Sequence, residues 1–116
     1  MTVKEFYEAC GGGYETMVSK FASDAMITKF LEIFKRDKSF ETLCAKLDEG
    51  DTEGAFNAAH TLKGVVLNLN LVGLIDPVCN VVEALRAGNI NAARSLFPKV
   101  KEAFARTEDA LKRILP

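Results

Sequence analysis

The sequence predicts an all-α fold, an up-and-down four-helix bundle with additional short N-terminal helices, and three observations carry that prediction. Apolar residues recur at spacings of three and four along one segment after another. No segment alternates apolar and polar residues as a half-buried strand does. The breaks between segments run to only about two to six residues, which makes neighbouring helices antiparallel.

In order, Thr2 caps a short helix with the acidic Glu5 in its first turn. Gly11-Gly12-Gly13 ends it and has the freedom to act as a small hinge. Tyr14 to Phe21 reads as a second short helix. Ser23 or Asp24 caps the next, whose apolar stripe is Met26, Ile27, Phe30, Leu31 and Phe34. Lys35, Arg36 and Lys38 close it with positive charge, where the helix dipole favours cations.

Ser39 and Thr42 open a further helix with Phe40, Leu43, Cys44 and Leu47 on one face, and Gly50 stops it. Phe30, Phe34 and Phe40 are expected to form a core cluster, with methionines filling its gaps. Asp51 caps a long helix that runs to Leu69. Beyond Asn70, Asp76-Pro77 reads as a cap followed by proline at the first helical position. Val78, Val81, Val82 and Leu85 make the apolar face of that helix, which ends at Gly88. The last helix spans about Asn91 to Leu115, and Pro98 is expected to kink it or divide it at Phe97.

Composition narrows the function classes. At 116 residues the chain is expected to be one domain, 1–116, with the 48% apolar and 27% charged content of an ordinary globule. A net charge of −1 offers no basic face for nucleic acid. Cys10, Cys44 and Cys79 are odd in number and contain no CxxC pair, which favours free, partly buried thiols in a reducing compartment. No apolar run approaches the roughly 20 residues that span a bilayer, so no membrane partner and a cytoplasmic location are expected. The start at Met1 favours a free-standing protein.

The helix from Asp51 to Leu69 carries the chemistry. At about 3.6 residues per turn, Ala55, Ala58, Leu62, Val65, Val66 and Leu69 gather on one stripe that must face the core. Glu53, Asn57, His60 and Gly64 fall on the opposite stripe, with Lys63 at its flank. His60, the one histidine in the chain, therefore points to water. Lys63 and Gly64 are its neighbours on the following turn. A glycine inside a helix costs about 1 kcal/mol relative to alanine, and here it clears space beside the imidazole. An open nucleophile, a clearing and a flexible cation together suit a phosphoryl acceptor. Phe56 and Leu67 project near the same side as an apolar rim.

Ala59-His60-Thr61-Leu62-Lys63-Gly64, followed by Val65-Val66-Leu67-Asn68-Leu69, resembles the histidine phosphotransfer domains of bacterial multistep phosphorelays. Their signature is a histidine, a lysine-glycine pair three and four residues later, hydrophobic positions and usually a second glycine. The resemblance extends from roughly Ala22 through Leu115, and Asn70 stands where the second glycine is usual. Asparagine tolerates the left-handed conformation better than most residues, so it can still end the helix.

The resemblance implies a phosphocarrier without autonomous catalytic activity. His60 accepts a phosphoryl group from an aspartyl phosphate and passes it on, Lys63 stabilises that group, and Gly64 gives access. Phe56, Asn57, Leu67 and Asn68 become the docking residues. The implied partners are response-regulator receiver domains or a hybrid sensor kinase acting on a monomer. In such pairs the receiver supplies Mg²⁺, so no cofactor, metal or nucleotide site is expected in this chain.

Ordinary structural roles fit several of these residues: Phe56 and Leu67 as edges of the core, Lys63 as a solvated cation, and the three cysteines as small core residues. A lone exposed histidine is ordinarily just a surface residue; the adjoining Lys63 and Gly64 set this one apart. Leu47 to Asp51 with Ala55 recurs loosely as Leu85 to Asn89 with Ala93, which opens the alternative of a non-catalytic helical interaction scaffold. Two copies are too few for a stable solenoid, and each reads as a helix stop followed by a start. A metalloenzyme lacks clustered ligands, and a hydrolase using His60 as base lacks a Ser or Cys partner in the local sequence.

Overall fold

Side-chain caps and left-handed turns set the helix boundaries in the computed structural model, which describes residues 1–115. Residue 116, the last of the expected single domain, lies outside the described residues. The helices are α1 (Val3–Ala9), α2 (Tyr14–Phe21), α3 (Asp24–Lys35), α4 (Ser39–Glu49), α5 (Thr52–Asn68), α6 (Val72–Arg86) and α7 (Ile90–Ile114). No strand occurs among the described residues. Thr2 and Glu5 form a reciprocal capping box on α1, and Ser23 rather than Asp24 caps α3. α4 begins at Ser39, as expected. The Asp37 carboxylate accepts from the Ser39 N–H at 2.8 Å.

The α4–α5 and α6–α7 joints share one design, which explains the internal echo. Gly50 and Gly88 both adopt φ 74°, and Asp51 and Asn89 follow at once as the next N-caps. Asn70 ends α5 in the same way without glycine, at φ 50°. The Leu71 N–H donates to the Val66 carbonyl at 2.9 Å and the Asn70 N–H to that of Leu67 at 3.1 Å. These are the paired bonds that close a helix through a left-handed residue.

α4, α5, α6 and α7 pack in succession as the up-and-down bundle, with α1 against α7 and α2 and α3 alongside. Phe40 stacks on Phe104 at 3.9 Å between ring centroids, and the Arg94 guanidinium donates to the Leu47 carbonyl at 2.7 Å. These contacts close the bundle between α4 and α7. Three ties fasten the N-terminal segment to the α5–α6 turn and the start of α6. The Tyr7 hydroxyl donates to the Leu69 carbonyl at 2.8 Å, the Gly73 N–H to the Cys10 carbonyl at 3.1 Å, and the Asn70 amide to the Gly13 carbonyl at 3.1 Å. The triple glycine thus forms a turn anchored by hydrogen bonds at both ends. Burial holds the Tyr7 phenol well above its ordinary pKa, with a smaller push from Cys10, so it stays a donor. Tyr7→Phe leaves the Leu69 carbonyl without that partner and is expected to cost about 1 kcal/mol of stability in chemical denaturation.

Several expectations are corrected. α6 begins at Val72, and Pro77 lies inside it, not at its first position. Burial of Leu71 and Leu74 and the bond from Gly73 to Cys10 extend the helix backwards. Of the two effects expected of Pro98, division at Phe97 does not occur, and α7 runs unbroken from Ile90 to Ile114. Pro98 deprives the Arg94 carbonyl of its helical partner, yet buried Ala93, Phe97 and Val100 hold the helix against the core across the gap. Met26, at the edge of its stripe, is 44% exposed, and Met17 is the buried methionine instead. The phenylalanine cluster splits: Phe34 and Phe40 meet through Phe104, whereas Phe30 pairs with Phe21. Cys10 is buried, and Cys44 and Cys79 are half-buried free thiols. Among the described residues no helix is long and apolar enough to cross a membrane.

Candidate functional site

The exposed face of α5 follows from what its other faces bury. Ala55, Ala58, Ala59, Leu62 and Val66 are buried, so Glu53, Asn57, His60 and Gly64 are left in solvent, with His60 at the middle of the 17-residue helix. Ala59, adjacent to His60, was not on the expected stripe. At about 100° per residue it falls beside Val66, at the edge of that stripe, and is buried with it.

His60 has one close aromatic neighbour. The Phe56 ring, one turn earlier, lies 5.7 Å from the imidazole between centroids and is tilted 31° to it. Lys63 is half-buried, and none of the ion pairs among the described residues involves it. Its ammonium is therefore not committed to a carboxylate among the described residues. Leu67 is 46% exposed two turns beyond His60. Asn57 and Asn68 are exposed, but Asn68 is engaged. The Lys20 ammonium donates to its carbonyl at 3.2 Å and to its side-chain oxygen at 3.1 Å. A cation at that end of α5 also opposes the helix dipole.

The glycines separate by what each one is for. A Cβ on Gly73 meets the Cys10 carbonyl oxygen at 2.9 Å, and one on Gly54 meets the Lys46 side chain at 2.9 Å and the Asp51 carboxylate. Packing against backbone requires glycine at Gly73, whereas at Gly54 the neighbours are side-chain ends that can shift. A Cβ on Gly64 meets nothing within 4 Å, and the residue lies inside α5 without positive φ. Neither packing nor backbone conformation calls for glycine there. The helix carries a penalty of about 1 kcal/mol at a position whose sole local effect is open space beside His60.

Two residues near this face were not singled out from the sequence. Arg86 of α6 places its guanidinium over the Phe56 ring, 5.2 Å from the centroid, and Lys20 reaches Asn68 from α2. Both depend on how separate helices cross, and no local spacing announces them. Among the described residues no group of three or more His, Cys, Asp or Glu side chains is placed to hold a metal ion.

No curated protein and no solved structure matches the chain. A family model, that of the Hpt domain, matches residues 26–112 and so takes in α4 to α6, nearly all of α3 and α7, and the whole exposed face of α5. The chain belongs to the Hpt domain family, helical modules of phosphotransfer in phosphorelays.

Proposed function

We propose that the chain is a cytoplasmic phosphocarrier in a two-component phosphorelay, a single domain over 1–116 that works as a monomer. His60 takes a phosphoryl group from an aspartyl phosphate on a receiver domain and yields it to another receiver. The unprotonated ring nitrogen attacks phosphorus in line and a P–N bond forms. The bond from phosphorus to the aspartyl oxygen breaks, and its electron pair leaves with the carboxylate. Such transfers depend on positioning and charge stabilisation and need little covalent chemistry from the protein. The carrier is accordingly not an enzyme by itself, and response-regulator receivers, alone or within a hybrid sensor kinase, complete the reaction.

The observation that carries this reading is Gly64, a mid-helix glycine with no internal reason, one turn from the exposed His60. Lys63, in no ion pair among the described residues, stabilises the arriving phosphoryl oxygens. Leu67, Asn57, the outer edge of Phe56 and the free part of Asn68 form the rim on which the receiver rests. The test is incubation of the chain with phosphorylated receiver domains from the same genome. The proposed function predicts transfer of label to the chain, whereas a non-catalytic scaffold binds without acquiring label.

The two supporting roles separate kinetically. Lys63→Ala is expected to slow transfer about tenfold at saturating receiver, or to shorten the phosphohistidine lifetime, with half-saturation little changed. Leu67→Ala is expected to weaken receiver binding instead, because it removes apolar area from the rim. Equal losses of affinity in both variants count against this division of roles.

A further inference from the structure

Arg86, Phe56 and His60 form a row across the junction of α5 and α6. The Arg86 guanidinium lies over the Phe56 ring at 5.2 Å, and Phe56 lies 5.7 Å from the imidazole. Arg86 is itself restrained, since its Nε donates to the Glu83 carboxylate at 3.2 Å. We propose that Arg86 is a positioning residue for His60, acting through the Phe56 ring. The inference rests on the reading of His60 as phosphoryl acceptor.

The physical argument starts from the freedom of an exposed imidazole, which turns about two side-chain bonds. In-line attack is productive from only a narrow part of that range, and small misplacement is costly in rate. Phe56 stands as a wall on the N-terminal side of the ring, and Gly64 leaves the C-terminal side open. A wall is useful only if it is fixed, and Phe56 is merely half-buried. A guanidinium lying over the aromatic face and hydrogen-bonded to Glu83 supplies that fixity from a second helix. Lysine offers charge without the plane, so it replaces arginine incompletely.

The test reads both the ring and the reaction. The chain has one histidine, so its imidazole proton resonances are unambiguous in NMR spectra, and the ring current of Phe56 displaces them. Arg86→Ala is expected to move those resonances and to lower the maximal transfer rate about three- to tenfold, with half-saturation by receiver unchanged. Arg86→Lys is expected to restore part of both. In a Phe56→Leu background, Arg86→Ala is expected to move neither any further.

A shift in half-saturation with the maximal rate intact overturns the proposal in favour of docking. Unmoved resonances, or additive losses in the double variant, overturn it as well. If the unaltered chain acquires no phosphoryl group, the function proposed for His60 fails and the positioning role falls with it. That outcome is distinct from transfer that proceeds normally in Arg86→Ala, which overturns the positioning role alone. Arg86 has a half-exposed side chain, and unchanged helical circular dichroism establishes that its variants fold.

Discussion

Gly64→Leu is expected to slow phosphoryl transfer about 100-fold or more while leaving the bundle folded and its thermal midpoint unchanged or raised. The two effects have separate origins. Leucine propagates a helix better than glycine by roughly 0.8 kcal/mol, and a Cβ at this position meets nothing of the chain within 4 Å. The longer side chain projects instead into the space beside His60, where the receiver must bring its phosphoryl group. Steady transfer rates at graded receiver concentrations, beside a thermal melt, check both halves. A variant that is more stable yet transfers normally makes Gly64 a structural accident.

His60→Gln is expected to abolish labelling outright. Glutamine keeps a polar side chain of similar reach but offers no ring nitrogen to attack phosphorus. His60 is exposed and outside the core, so the helical circular dichroism should be intact. Receiver affinity should also change little, since Leu67 and the other rim residues are untouched. Measured together, label, spectrum and affinity distinguish loss of the nucleophile from loss of the fold or of the docking face.

The site was legible in the sequence where its geometry is internal to one helix. The 3.6-residue period alone puts His60 opposite Leu62 and Val66 and puts Gly64 one turn along, and burial follows that pattern. Asn70 was legible for a similar reason, since a left-handed residue after the last apolar position is a local requirement. Legibility ended where helices meet. The start of α6 at Val72 depends on a bond from Gly73 to Cys10, 63 positions away in sequence, and a rule about proline had no access to it. The contact of Arg86 with Phe56 depends on the register of two antiparallel helices. The same limit applies to Met26, because whether the edge of an apolar stripe is covered depends on which neighbour lies there.

The N-terminal segment has a further consequence. The family match begins at residue 26, yet Tyr7, Gly13 and Lys20 bond to the end of α5 or the turn that follows it, and Cys10 to the first turn of α6. The helix that carries His60 is therefore secured partly by residues outside the matched stretch.

The most direct test of the central claim is chemical identification of the phosphorylated atom after the unaltered chain has met a phosphorylated receiver. The account predicts one phosphate per chain, on nitrogen, labile in acid and stable in alkali, and mapping to the peptide that contains His60. Phosphate on oxygen, at any residue other than His60, or none at all under conditions where the receiver binds, would contradict it.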